Sequence, residues 1–235
     1  MRKIATSFSI FNILVLVSRL SNSFQQPLLA KRIEENIKNG FDVIPAIDFR
    51  VVLLTASVAT VIGTLLIPTF QRLFSKAIEK FSVERSIPKL LLHSFTKSGI
   101  RQFKESIAVP KTQKIQLHKL PPGIIAIVTI NTIGTAIWTV GVLSSLYAGY
   151  LIPDLRVTAN SLAAVINGVA TILMFILVDP YISLLTDDAI DLKISDTLFR
   201  KSITLFAGSR LLGTVLAQFL LVPAAHLIVI ISKAL

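Results

Sequence analysis

Cysteine is absent from the 235 residues, which excludes disulfide scaffolds, thiolate zinc sites and cysteine nucleophiles. Charge is scarce: Asp, Glu, Lys and Arg make up 16%, against roughly 25% in an ordinary soluble domain. Acidic side chains are the scarcer sign, 13 against 24 Lys and Arg, for a formal charge of +11. No G-x-x-x-x-G-K-[ST] loop occurs, so nothing here builds an ATP-driven pump. G-x-S-x-G, H-E-x-x-H and histidine clusters are missing too, which leaves an intramembrane hydrolase or metalloenzyme little to work with. Apolar residues are what the chain has in quantity: 53%, with a mean hydropathy of +0.73. That excess excludes a disordered chain and argues against a water-soluble enzyme.

A charge-free run of about 20 apolar residues is long enough to cross the roughly 30 Å hydrocarbon core as a helix. Val51 to Gln71 is such a run, between Arg50 and Arg72. Leu120 to Pro153 is longer than a bilayer needs, so it must tilt, protrude or break near Gly134, Gly141 or Gly149. Val157 to Val178 follows, with Asp179-Pro180 expected as its stop. The last segment runs from about Ser202 to Ile231, interrupted by Arg210, Pro223 and His226, and the first from Ile4 to about Phe24, with Arg19 inside it. Arg2-Lys3 gives that first segment the start of a signal peptide. Arg19 and Ser21-Asn22-Ser23 occupy the place of a cleavage site, so it is expected to be retained. The expectation is an all-α, polytopic transmembrane helix bundle of five spans, a single membrane domain over residues 1–235.

The basic charge is concentrated at 72–119, where 11 Lys/Arg face Glu79, Glu84 and Glu105. By the positive-inside rule this is a cytoplasmic loop. Arg2-Lys3 and the Asp-rich 179–201 loop are then inside; residues 25–49, the 151–156 turn and the C-terminus are outside. Within the basic loop Ile87 to Lys104 is amphipathic and suited to anionic lipid headgroups. Nucleic-acid binding is the weaker reading, because the charge is confined to one membrane-flanking loop.

Polar residues within spans are costly and are functional candidates by default. Ser9, Asn12, Arg19 and Ser23 share one helical face; Thr132, Thr135 and Thr139 form a stripe beside Asn131; Asn160, Asn167 and Thr171 line up; Arg210, Thr214 and Gln218 follow at i, i+4 and i+8. Thr55, Ser57, Thr60 and Thr64 make a weaker set. Such stripes either glue helices together or line a polar path, and Gly213 with Ala217 or Gly141 with Ser145 are small pairs of the gluing kind. Arg19 and Arg210 either snorkel to an interface or bind a substrate anion, for which guanidinium is the best-matched side chain. His226 reads as a helix-packing group or a proton relay, and His93 and His118 as solvated. Asp187-Asp188 and Asp191 either hold a divalent cation or cap a short helix, and capping is preferred in the absence of a second ligand cluster.

Several blocks resemble one family. Ser9 to Arg19, continuing through Ser21-Asn22 and Gln26-Pro27, is similar to the opening region of the Amj proteins, bacterial lipid II flippases described as alternates to MurJ. Thr139 to Ala148 with Ile166-Asn167-Gly168, Val178-Asp179-Pro180 and Asp187-Asp188 resemble the same family. So do Ser209-Arg210-Leu211, Gly213-Thr214 and Leu216-Ala217-Gln218, and the likeness runs from residue 9 to about 222. Family members carry a further hydrophobic helix before the S-x-F-N block, giving six spans, whereas this chain starts at Met1 just ahead of that block. The resemblance implies a transporter, not an enzyme, that moves lipid II (undecaprenyl-pyrophosphate-linked disaccharide-pentapeptide) across the bacterial cytoplasmic membrane for peptidoglycan synthesis. No cofactor is implied. On that reading Arg19 and Arg210 contact the pyrophosphate. Asn12, Asn167, Thr135 and Gln218 hydrogen-bond sugar or peptide, and Arg156 attracts the headgroup at the outer mouth. Two other classes stay open at this point. One is a membrane enzyme acting on polyprenyl phosphates, with Asp187, Asp188 and Asp191 as its metal site. The other is a non-catalytic membrane scaffold.

Overall fold

A computed structural model describes residues 4–39, 46–84, 89, 92, 95–108 and 120–235. Every regular element among them is helical. α1 is Ile4–Lys38, α2 Ala46–Glu84, α3 Lys97–Ser106 and α4 Ile124–Leu151. After a short 3-10 turn, Pro153–Leu155, come α5 (Arg156–Leu173), a π-turn (Met174–Val178), α6 (Asp179–Ile190) and α7 (Asp196–Ala234). Four helical stretches among the described residues are long and apolar enough to cross a membrane: Ile47–Lys80, Ile124–Leu151, Pro153–Ile190 and Asp196–Ala234. The chain divides into two compact units, residues 1–28 with 62–112, and residues 29–61 with 113–235.

In the larger unit, α4 is the central helix. Pro121 and Pro122 cannot extend it backward, and Gly123 takes the left-handed φ of +77° that opens its first turn. One end is an apolar cluster of Ile33, Phe49, Leu53, Val140, Leu143, Leu146, Ala217 and Leu221. At the opposite end of α4, Ile124, Val178, Leu185 and Phe206 form a second cluster. Tyr181 fastens α6 there by donating its hydroxyl to Pro122 O at 3.0 Å. Ala148, Ala159, Ala225 and Ile228 let α4, α5 and α7 close together near the C-terminal end of α4.

Three features differ from the sequence expectation. Residues 25–38, expected as a connecting segment, continue α1 as helix. Leu29, Ala30, Ile33 and Ile37 repeat at helical spacing and pack into the first cluster, while Arg32 pairs with Asp48 at 2.9 Å at the start of α2. Residues 72–84, assigned to the basic loop, extend α2. Of the alternatives open to the long run from Leu120 to Pro153, a break is not the one taken: α4 is continuous past Gly134, Gly141 and Gly149. Asp179-Pro180 does not end a helix either: the Asp179 N–H donates to Met174 O, five residues back. That wider π-turn accommodates the ring of Pro180 and the hydrogen bond it cannot make, so helix resumes at once.

The acidic cluster also differs. Asp187, Asp188 and Asp191 sit at the C-terminal end of α6 rather than at a helix start. Lys193 Nζ lies 2.9 Å from Asp191 and 3.5 Å from Asp188, and these two carboxylates raise its pKa above the ordinary lysine value, the Asp191 hydrogen bond most of all. The cap of α7 is Ser195, whose Oγ accepts from the Leu198 N–H at 3.3 Å. Among the described residues no three His, Asp or Glu form a metal-binding group. His93 and His118 lie outside the described residues.

Candidate functional site

The polar residues of the larger unit collect along two seams of α4. On the first, α4 and α5 run antiparallel and glycines face side chains. Gly134 lies opposite Met174, Gly141 opposite Asn167, and Gly149 opposite Asn160 and Arg156. The glycines recur at intervals of seven and eight residues, two helical turns, so they share one face. Each lacks the Cβ that would fill the space its partner on α5 or the π-turn after it occupies. The Oδ1 atoms of Asn160 and Asn167 are buried here with no hydrogen-bond partner among the described residues.

On the second seam α4 and α7 run parallel. Asn131, 1% exposed, donates from Nδ2 to Ser209 Oγ at 2.6 Å and, more weakly, to Phe206 O at 3.4 Å. Ser209 Oγ in turn donates a hydrogen bond to Phe206 O at 2.8 Å. One turn further on, Gly213 sits against the Thr132 carbonyl and the Thr135 side chain. Asn131 Oδ1 and Thr135 Oγ1 are both buried with no partner among the described residues. An unpaired buried polar group costs roughly 1–3 kcal/mol. Four such oxygens on Asn131, Thr135, Asn160 and Asn167 are therefore an expensive arrangement for a helix pack that needed only to be stable.

Arg210 follows Ser209 on α7. Between Lys201 and Lys233 it is the one charged residue of the helix. Its side chain is exposed, and no carboxylate among the described residues is within ion-pair distance. Its neighbour Ser209 is fully packed, so the helix turns a polar, closed face to α4 and presents a bare guanidinium beside it.

Residues 1–232 match the Amj family, described as alternate to MurJ. The chain belongs to the Amj family. It is 34% identical over 234 residues to the lipid II flippase Amj of Bacillus subtilis (strain 168), an alignment covering 98% of this chain and 86% of that protein. No solved structure matches.

Within this Amj chain the expected site residues separate. Thr135 and Asn167 lie on the two seams of α4, while Arg156 opens α5 against Gly149. Gln218 donates to the Arg50 carbonyl at 3.0 Å, tying α7 to the start of α2. The expected Arg210, Thr214 and Gln218 face is split, since Thr214 is buried and back-bonds to Leu211 O at 2.8 Å whereas Arg210 is exposed. Asn12 is exposed on α1 in the other unit, and the Arg19 side chain lies outside the described residues. Most hydroxyl stripes serve their own helices: Thr132, Thr139, Thr171, Thr55, Ser57 and Thr60 each donate to a carbonyl three or four residues back. Sequence reading set Asn131 beside the threonine stripe and passed over Ser209 as a partner. A polar residue four positions before Thr135 was the available signal, and its partner on α7 required the fold.

Proposed function

We propose that this chain is a lipid II flippase, a transporter of the undecaprenyl-pyrophosphate-linked peptidoglycan precursor across the bacterial cytoplasmic membrane. The observation that carries the reading is Arg210, an exposed guanidinium with no ion-pair partner among the described residues, within a helix otherwise free of charge from Ser202 to Ser232. Guanidinium is the side chain best matched to phosphate oxygens, through paired N–H donors, and a diphosphate offers several. The 34% identical relative that carries the name lipid II flippase supports the substrate assignment.

The topology we propose has five spans, the first segment of α1 adding to the four span-capable stretches. The basic segment 72–119 faces the cytoplasm, the whole chain forms one membrane domain, and anionic lipids neighbour that segment. The parallel course of α4 and α7, with one α5–α6 crossing between them, is consistent with that count. Ser209 pairs with Asn131, seven residues or about 10 Å into α4, so Arg210 lies in the cytoplasmic part of the span in this topology. There it meets the diphosphate on the side where the precursor is made. Asn167, Thr135 and Gln218 supply polar groups further along, Arg156 stands near the outer end, and Asn12 and Arg19 belong to the other unit. The residues supply no phosphate loop and no nucleophile constellation, and the step needs none: the headgroup crosses with every covalent bond intact.

The test is complementation in bacteria depleted of their own lipid II flippase, reading growth and surface exposure of lipid II. The native chain restores both. Arg210→Ala inserts normally and restores neither, whereas Arg210→Lys restores part, because it keeps the charge and loses the bidentate geometry. Full rescue by Arg210→Ala would remove Arg210 from the mechanism. Arg19→Ala is scored separately, and failure of the native chain despite membrane insertion would overturn the flippase reading itself.

A further inference from the structure

α3 is held against α2 at its C-terminal end. Thr69 Oγ1 donates to Ala108 O at 3.3 Å and accepts from the Ala108 N–H at 3.0 Å. Lys76 Nζ donates to Ser106 Oγ at 3.1 Å. Thr69 and Lys76 are seven residues apart, two turns along one face of α2. Their place on α2 sets the depth of α3. The charge-free run of α2 ends at Gln71, so Thr69 lies in its last turn and Lys76 just beyond Arg72. The clamp therefore spans about 10 Å across the level where the apolar run gives way to charge.

The faces of α3 match that level. Gly99 and Ser106 are buried and share the side carrying the Lys76 bond. Ile100 and Phe103 fall within roughly 60° of one another on α3, and with Ile107 at its C-cap they remain 50%, 43% and 57% exposed. Phe95, just before the helix, is more exposed still. Lys97, Arg101 and Lys104 form an adjacent arc, also within about 60°, all exposed. One carboxylate, Glu105, offsets them through Arg101 Nε at 2.9 Å. Thr96 fixes the helix start by accepting from the Gly99 N–H at 3.2 Å. An apolar arc with cations along one border, clamped at the end of a hydrophobic run, has the form of an in-plane helix.

We propose that α3 docks on the anionic phospholipid headgroups of the membrane that α2 enters. Ile100, Phe103 and Ile107 enter the acyl boundary, and Lys97, Arg101 and Lys104 reach lipid phosphates by extending their aliphatic stems along it. The assignment is independent of what the chain transports, and its readout is separate from transport.

The full chain carrying Trp138→Phe and Phe103→Trp is reconstituted into vesicles of bromine-labelled phosphatidylcholine, with and without phosphatidylglycerol. The expected result is blue-shifted indole emission quenched by the bromines, more strongly when phosphatidylglycerol is present. Lys97→Gln, Arg101→Gln and Lys104→Gln together abolish the phosphatidylglycerol increment. Ile107→Trp is a second reporter that gives the same pattern if Phe103→Trp disturbs the clamp. Blue emission without quenching means that the arc is covered by protein, a second copy or another chain, and overturns the proposal. Red, unquenched emission places α3 in water and overturns it too. Quenching that ignores phosphatidylglycerol overturns the anionic-lipid assignment.

Discussion

The carboxamide oxygen of Asn167 on α5 occupies the space that a Cβ on Gly141 of α4 would fill. Neither residue is explained by its own helix: an asparagine inside an apolar span and a glycine inside a long helix both weaken the local structure. Together they let two backbones approach, and the same relationship recurs at Gly149 with Asn160.

Gly141→Ala is expected to lower the stability of the purified protein by roughly 1–3 kcal/mol, the usual cost of overpacking. The clash is with the far end of one side chain, plus Ile166 Cγ2 at 3.1 Å. Adding Asn167→Ala therefore returns part of the loss. Unfolding in detergent measures both, and equal stability of Gly141→Ala and wild type would refute the close approach.

Gly213→Ala behaves differently. Its Cβ would meet the Thr132 carbonyl oxygen at 2.7 Å and Thr135 Cβ at 2.7 Å, atoms that no rotamer change can move. The loss exceeds that of Gly141→Ala, and truncating Thr135 to Ser does not recover it, because the Cβ stays. Recovery by Thr135→Ser would show that α7 can back away from α4.

Ser209→Ala deprives Asn131 Nδ2 of its 2.6 Å partner and leaves only the 3.4 Å contact with Phe206 O. The expected loss is about 1–3 kcal/mol, the cost of an abandoned buried donor. Combined with Asn131→Leu in a double-mutant cycle, the two substitutions are non-additive by about 0.5–3 kcal/mol. Strict additivity would mean the pair does not interact.

The turn between α6 and α7 holds Leu192 in the left-handed region, φ 59°, with Lys193 and Ile194 N–H groups donating to Asp188 O. A raised lysine pKa in the folded state gives a contribution that is complete below the ordinary lysine value, about 10.4, and is lost as pH rises through the folded value. Neutral to mildly alkaline pH therefore leaves the turn closed. Lys193→Gln removes the charge at neutral pH and increases hydrogen exchange at those two amides. Wild-type protection, corrected for intrinsic rates, stays constant over the same range; a fall near neutrality would contradict the assignment.

The span-capable segments were legible because hydropathy over about 20 residues reports burial in lipid whatever the partner helix. Val51 to Gln71 and Ser202 to Ile231 needed nothing more. Asp179-Pro180 misled because proline chemistry alone predicts a stop, and a π-turn at Met174–Val178 depends on how the helix before it is held. Residues 25–38 misled because their apolar positions are few, yet Ile33 is nearly fully buried in the cluster it shares with Phe49, Leu53, Val140 and Ala217. At the candidate site, Arg210 was legible as an isolated charge. Whether it faced a partner or open surroundings was not, because spacing along α7 places it on nearly the same side as Thr214, which is buried. The three glycines of α4 were visible as weak points, and only the position of α5 shows them to be receptacles.

That ladder of glycines has a mechanical consequence. Met174, Asn167 and Asn160 stand in Gly134, Gly141 and Gly149 like teeth in notches. A slide of α5 along α4 by one residue would drive a carboxamide into backbone that bears a Cβ, and the next notch is seven or eight residues away, about 10–12 Å. The notches therefore hold the two helices at one register, and sliding between them is the motion this interface resists most.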